Sequence, residues 1–470
     1  MAPINKNKKP SPIIDSERLA GGQGNVSAKN SNEQLLRRAV STCMLWEDNA
    51  YVDGISVAAN IADLIPKVDA KFCADLAIEA RFVQKLRHVP LFICREMARY
   101  PEHKKLLADT LEKVIHRADE LTEFVALCWN NNDGKKTLSK QVKKGLAKAF
   151  AKFSEYDLAK YNRSNKTVKL SDVLNLCHAK PKDEAQNELW KRLFKDELKT
   201  PDTWEVGLSA CKNAQEKKAV WERLINEKKL GASAFLKNLR NMIESSVEPT
   251  IIRNGLLNIN KQMLVPLDFL KAEKYAPDYS REIESAMLDC ASTWKKLSGK
   301  TILIVDVSGS MGTKLSSKSD FNRMDTAAAM AVLAAELCEN VSIYATAGND
   351  YSRVHKTEKV RPYRGFALSK EILDKASKLG GGGIFTKQCL EYIKTQEKEI
   401  PDRIIVFSDS QDCDISKALP NPFGKHNYVV DISSEKKGIN YKGVWTAEIS
   451  GWSEGFLKFI SESEVPVNEN

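Results

Sequence analysis

The chain has 470 residues, 42% apolar and 29% charged, a mix typical of globular proteins and a length too great for one hydrophobic core. Its longest apolar runs, such as 301–305, fall far short of the roughly 18–20 residues of a membrane helix, and the first thirty residues hold no apolar signal region, so neither a membrane span nor a secreted form is expected. Ten scattered cysteines form no C-x-x-C and the six histidines show no metal-ligand spacing, which argues against zinc sites and disulfides and for a reducing cytoplasm.

Residues 1–30 are polar and rich in Lys, Asn, Ser, Pro and Gly, and are expected to be a disordered leader. From 31 to 295 apolar residues recur at 3–4 spacing in segments such as 33–44, 70–84, 90–99, 103–128, 140–153 and 204–214, with breakers between them at Val89-Pro90, Tyr100-Pro101, Asn131 to Gly134, Pro181, Thr200-Pro201 and Gly231. So many short helices cannot share one centre, and a stack of helix pairs suits them.

Charge is uneven along this stretch. Between Lys135 and Lys182 stand thirteen Lys and Arg against three acids, Glu155, Asp157 and Asp172, a surplus that equals the +10 of the whole chain. Clustered positive charge suits a polyanion, whose condensed counterions are released on binding, although a merely solvated helix face gives the same pattern. Lys140, Lys143, Lys144 and Lys148 lie at 3–4 spacing and form one cationic stripe, able to track a phosphate backbone without reading bases.

Near 295 the texture changes. Thr301-Ile-Leu-Ile-Val-Asp306 reads as a buried parallel strand; a small-residue helix over 324–339 follows, then strands at 341–346, 403–408 and 428–432 and helices at 368–379, 387–399 and 452–461. The alternation predicts a doubly wound α/β domain over 299–470, with 351–365 an irregular insertion at the sheet edge.

Asp306-Val-Ser308-Gly-Ser310 leaves the carboxyl end of the first strand, the edge where open α/β sheets gather ligands. A carboxylate followed by hydroxyls at the second and fourth positions offers three hard oxygens, suited to a divalent ion such as Mg²⁺. Thr386, after Gly380–Gly383, and Asp409, after Phe407-Ser408, arrive at the same edge with a further hydroxyl and carboxylate. Few charges and many neutral oxygens would leave such an ion undercompensated and attractive to an acidic group from another molecule. No phosphate-binding loop, Gly-x-Ser-x-Gly elbow or His-Glu-x-x-His helix is present, and no catalysis is expected.

With these motifs the chain resembles the Ro/TROVE family, the Ro ribonucleoprotein autoantigen and its bacterial relatives. The resemblance rests on Lys85-Leu-Arg-His-Val-Pro-Leu91 with Arg95-Glu-Met-Ala-Arg99, on Ala159-Lys-Tyr161 followed by Asp172-Val-Leu-Asn-Leu-Cys-His178-Ala-Lys-Pro181, on Leu236-Lys-Asn-Leu-Arg-Asn-Met242, and on the metal motif. It implies an all-α HEAT-like helical-repeat ring over 31–295, followed by a von Willebrand factor A-like domain whose metal-ion-dependent adhesion site is Asp306, Ser308, Ser310, Thr386 and Asp409. It also implies that single-stranded ends of misfolded RNA enter the ring's hole, with Arg87, Arg95 and Lys237 as candidate contacts, while small noncoding Y-like RNA binds the basic outer face through Lys160, Arg163 and His178. On their own positions, His178 could equally be a helix-end hydrogen bonder, and Lys160 and Arg163 could pair with Glu155 and Asp157. A role in RNA quality control or processing follows, with an exoribonuclease or another acidic protein at the metal site. The competing expectation is a metal-dependent protein-adhesion scaffold that binds no RNA.

Overall fold

A computed structural model of the protein describes residues 31–41, 54–130, 137–162, 167–261, 264, 266–292, 295–314, 321–409, 412–413, 421–432, 445–450 and 455–464. The expected leader lies outside them. Two compact units emerge, one of residues 61–255 and one that combines 1–60 with 256–470. The sequence changes texture near 295, but the compact units divide about forty residues earlier. No helix among the described residues is long and apolar enough to cross a membrane.

Helices make up the first unit, and their starts follow side-chain chemistry. Asp69 accepts from the Lys71 and Phe72 amides, Ser139 from Val142, and Ser154 forms a capping box with Asp157. The single helix expected over 103–128 is two, Pro101–Val114 and Ala118–Asn130. The break carries no glycine or proline; instead Glu120 Oε2 accepts the His116 and Arg117 amides at 2.8 and 3.1 Å, replacing the helical bonds lost there. Helix Lys140–Phe150 lies close against Pro101–Val114 at Gly145, where an added Cβ would stand 3.0 Å from the Ala108 carbonyl and 3.1 Å from Leu111 Cβ. Leu146 and Phe150 are buried beneath it, and Phe150 meets Trp190 edge-to-face at 5.6 Å.

The second unit is built on a six-stranded sheet, β1 (Leu297–Asp306), β2 (Cys338–Asn349), β3 (Val354–Lys359), β4 (Arg403–Ser408), β5 (His426–Asp431) and β6 (Ala447–Ser450), in the order β3-β2-β1-β4-β5-β6. All neighbours are parallel except β2 and β3. This is the doubly wound α/β architecture expected after the helices. Ile302 and Ile304 face the helix Thr386–Gln396 through Cys389, Leu390 and Ile393, and by strand alternation Leu303 and Val305 face the opposite side. There the helix Arg323–Leu337, lined with Ala327, Ala328, Ala331 and Ala334, approaches closely because its side chains are small. Two corrections concern the edges. Part of the stretch expected to be irregular is the strand β3, which pairs along its whole length with β2 and buries a Thr346–Thr357 hydroxyl contact of 2.9 Å. The four-residue β6 was not expected at all. The helices Pro266–Tyr275 and Ser280–Ala291 also belong to this unit: Lys274 pairs with Asp325 at 2.9 Å, and Glu284 Oε1 accepts the Phe366 amide at 2.7 Å.

Candidate functional site

The lysine stripe sits on Lys140–Phe150. Val142, Gly145, Leu146, Ala149 and Phe150 are buried, so packing fixes the helix roll and turns the lysines outward. Lys140 and Lys144 are exposed and Lys143 is half-buried; among the described residues no carboxylate stands within ion-pair distance of these three. Lys148 differs, because its ammonium lies 2.6 Å from Asp109 and 3.6 Å from Glu112 on the preceding helix. Three of the four lysines are thus open to a polyanion and the fourth is already engaged.

Lys160 is not taken up by the acids of its own helix. Glu155 is held by Arg192 at 2.9 Å and by the Lys199 amide at 3.1 Å, and Asp157 caps the helix. The Lys160 ammonium instead lies 5.8 Å from the Tyr156 ring centroid and 5.6 Å from that of Tyr161, whose ring also carries Arg117 at 4.9 Å. His178 is exposed and ends the helix Leu170–Cys177 in the left-handed conformation, φ 51°. Arg163 lies outside the described residues. Lys237 is exposed at the end of the helix Ala232–Lys237.

Two candidate contacts are already engaged within the protein. Arg95 is buried, 2.7 Å from Glu96 and over the Phe92 ring at 4.6 Å, so its charge is spent inside the fold. Arg87 is half-buried and donates to Asp119 at 2.7 Å and Glu123 at 2.8 Å. Arg87 belongs to a charged core that the sequence did not reveal, centred on Arg81 and Glu120, 2.7 Å apart and almost wholly buried. Arg117 adds a two-pronged contact to Asp119.

At the carboxyl edge of the sheet Asp306, Ser308 and Ser310 lie together, with Asp409 near enough to act on Asp306. β1 ends at Asp306, buried between neighbours, and the chain turns so that the Ser308 amide donates to Asp306 Oδ1 at 2.8 Å while Ser308 Oγ and Ser310 Oγ stand 3.3 Å apart. Ser408, which sequence reading passed over, donates to Asp306 Oδ2 at 2.7 Å from the end of β4. Asp409 is fully buried, and its Oδ2 accepts from Arg323 Nη1 at 3.0 Å. Thr386 opens the helix Thr386–Gln396; its amide donates to Asp412 at 3.2 Å, but its buried hydroxyl finds no partner among the described residues. The two residues between Gly383 and Thr386 are absorbed by packing: Ile384 bridges to Asp412, and the buried Phe385 ring fits against Gly348, where no side chain would have room.

Burial pushes the Asp306 carboxyl up to about 7, and the nearby charge of Asp409 adds to the effect. A carboxyl so disfavoured as an anion, an unpartnered threonine hydroxyl and two facing serine hydroxyls fit a hard divalent cation. Among the described residues no three His, Cys, Asp or Glu side chains gather as a metal cage, so an ion here would depend on hydroxyls as much as on carboxylates.

The sequence profile of the TROVE domain matches residues 191–366. Over that stretch the chain resembles the Ro/TROVE family. The solved structure of the Ro (RSR) protein of Deinococcus radiodurans superposes with a TM-score of 0.64 at 17% identity, over 93% of this chain and 100% of that one, and bears on the fold. Among the curated proteins nothing matches. The Ro/TROVE family is one of RNA-binding ribonucleoprotein components. The stretch that matches the TROVE profile crosses the divide between the two compact units and takes in Lys237, Asp306, Ser308, Ser310 and Arg323. The lysine stripe, Lys160, His178, Thr386 and Asp409 lie outside it.

Proposed function

We propose that this chain, which carries a match to the TROVE domain, is an RNA-binding component of a cytoplasmic ribonucleoprotein and catalyses no reaction itself. The observation that carries the reading is the helix Lys140–Phe150, whose buried face fixes three lysines outward with no carboxylate among the described residues at ion-pair distance from them. Lys160, poised over aromatic rings, and the exposed His178 extend the basic surface, and such a mixture suits a small noncoding RNA of the Y type. Binding of single-stranded RNA ends, and with it a part in RNA quality control, is the finer form of this proposal. For that role Lys237 remains a candidate and Arg95 does not.

The test is anisotropy of a fluorescent single-stranded RNA at two salt concentrations. Replacing Lys140, Lys143 and Lys144 with Glu is expected to weaken binding by about 100-fold and to flatten the logarithmic salt slope by about 2, as three lost phosphate contacts require. Lys148→Glu should cost far less, because that ammonium is already paired with Asp109. Wild-type affinity and salt slope in the triple variant would overturn the reading.

The strand-edge oxygens favour a second element of function. Asp306, Ser308, Ser310, Thr386 and Asp409 would hold a divalent ion, Mg²⁺ by its preference for hard oxygens, in a domain read as von Willebrand factor A-like; the unpartnered Thr386 hydroxyl supports this. The ion would supply a coordination point for an acidic group of a protein partner, such as an exoribonuclease. Asp306→Ala should abolish capture of that partner and leave RNA affinity intact; a parallel loss of RNA binding would contradict the division of labour.

A further inference from the structure

We propose that Arg323 is a built-in counter-ion of the strand-edge oxygen cluster, competing with a divalent cation for Asp409 and so holding the ion's affinity down. The inference rests on reading that cluster as an ion site, and concerns what tunes it.

Arg323 is the first residue of the helix Arg323–Leu337. Its backbone is fixed twice: Asn322 and Asp325 form a capping box around it, and its own amide donates to the Thr313 carbonyl at 3.0 Å. Its guanidinium reaches Asp409 Oδ2 at 3.0 Å, and the two side chains are 6% and 0% exposed, so no bulk water screens the pair. Asp306, by contrast, is held on both oxygens by neutral donors, the Ser308 amide and the Ser408 hydroxyl. Among the described residues the Arg323 guanidinium thus stands against the Asp409 carboxylate, while Asp306 is met by neutral donors.

A divalent ion entering here meets a fixed positive charge in a poorly screened interior. One possibility is that the guanidinium leaves Asp409, which costs a buried ion pair. The other is that Asp409 stays engaged and the ion is left with Asp306 and the hydroxyls. Either route makes binding weaker than at the same oxygens without the arginine. Arg323 touches no reacting group in this scheme; it sets how readily the ion is held.

The experiment is calorimetric titration of Mn²⁺ into the full chain as wild type, Arg323→Gln, Arg323→Lys and Asp306→Ala, with circular dichroism to check folding. Arg323→Gln is expected to bind Mn²⁺ at least about tenfold more tightly than wild type. Arg323→Lys, which keeps the charge, should stay near wild type, and Asp306→Ala should lose the binding. Should the Gln variant fail to fold, nuclear magnetic resonance of ¹⁵N-arginine-labelled wild type gives the answer, with the Arg323 Nε–H signal expected to move when Mg²⁺ is added. Equal or weaker Mn²⁺ binding by Arg323→Gln, or an Arg323 signal unmoved while the ion binds, overturns this inference and leaves the ion site standing. Absence of binding in wild type and variants alike removes both.

Discussion

Replacing Asp306 by Asn should raise the thermal stability of the metal-free protein at pH 8. The carboxyl is fully buried, and its midpoint stands at about 7 against an ordinary value of 3.8. Folding at pH 8 must therefore carry an anion where a neutral group is preferred, at a cost of up to roughly 4 kcal/mol. Asn avoids that cost and keeps the shape: its oxygen can accept the Ser308 amide bond of 2.8 Å, and its amide can donate to Ser408 Oγ, now 2.7 Å from Oδ2. If half of the cost is recovered, the melting temperature should rise by about 4–8 °C, at roughly 2–4 °C per kcal/mol for a unit of this size. Because the folded-state midpoint lies above the unfolded one, the folded protein takes up a proton as pH falls from 8 towards 5. Wild type should gain stability over that range, while Asp306→Asn loses this pH response and the gap between the two closes towards pH 4. Scanning fluorimetry in EDTA at pH 8 and pH 5 measures it. A variant destabilised equally at both pH values would refute the reasoning, since the carboxylate would then be contributing bonds rather than an uncompensated charge.

Arg95→Ala should destabilise the helical unit by about 2–3 kcal/mol in a urea melt, since the buried Glu96 then keeps only the more exposed Arg99 at 3.1 Å, and should leave RNA affinity unchanged in the folded fraction. Reduced RNA affinity without lost stability would restore Arg95 as a surface contact. Glu397 is a carboxylate of the opposite kind to Asp306. Burial acts to raise its midpoint, but hydrogen bonds from Lys300, Tyr344 and Lys359 bring it down to about 2. Its stabilisation is present above the unfolded midpoint near 4.5 and is lost as pH falls through 2. Glu397→Gln should therefore cost about 1–2 kcal/mol at pH 7, allowing for solvent screening, and little at pH 2, as compared by urea melts at the two pH values.

Which parts of the molecule could be read from the chain follows from the range of the interactions. Helix starts at Ser139 and Ser154, the strand cores of β1 and β4, and the oxygens on Asp306, Ser308 and Ser310 are set by near neighbours and carry local patterns. The break at His116 is made by a side chain a few residues away that looks like any helical glutamate. The charged core pairs Arg81 with Glu120 and Arg87 with Asp119, across separations of 39 and 32 residues that no periodicity reports. For the same reason Arg95 reads as a surface cation until its burial is seen. Arg323 and Ser408 reach the oxygen cluster only because the helix after β1 and the end of β4 meet at one sheet edge. Strand β3 was hidden by its charges: Lys356, Glu358 and Lys359 break the apolar alternation that marks a strand with one face in the core.

Those same charges have a consequence for the protein at high concentration. A sheet's outermost strand presents unpaired amides and carbonyls to which another chain can add, and aggregation begins at such rims. β3 is six residues long, three of them charged, and Lys375 and Glu397 from the adjoining helices meet Glu358 and Lys359 across it. Any strand from another molecule would have to desolvate this fringe to dock there, so the polarity that disguises β3 in the sequence also protects the sheet from fibre-like growth.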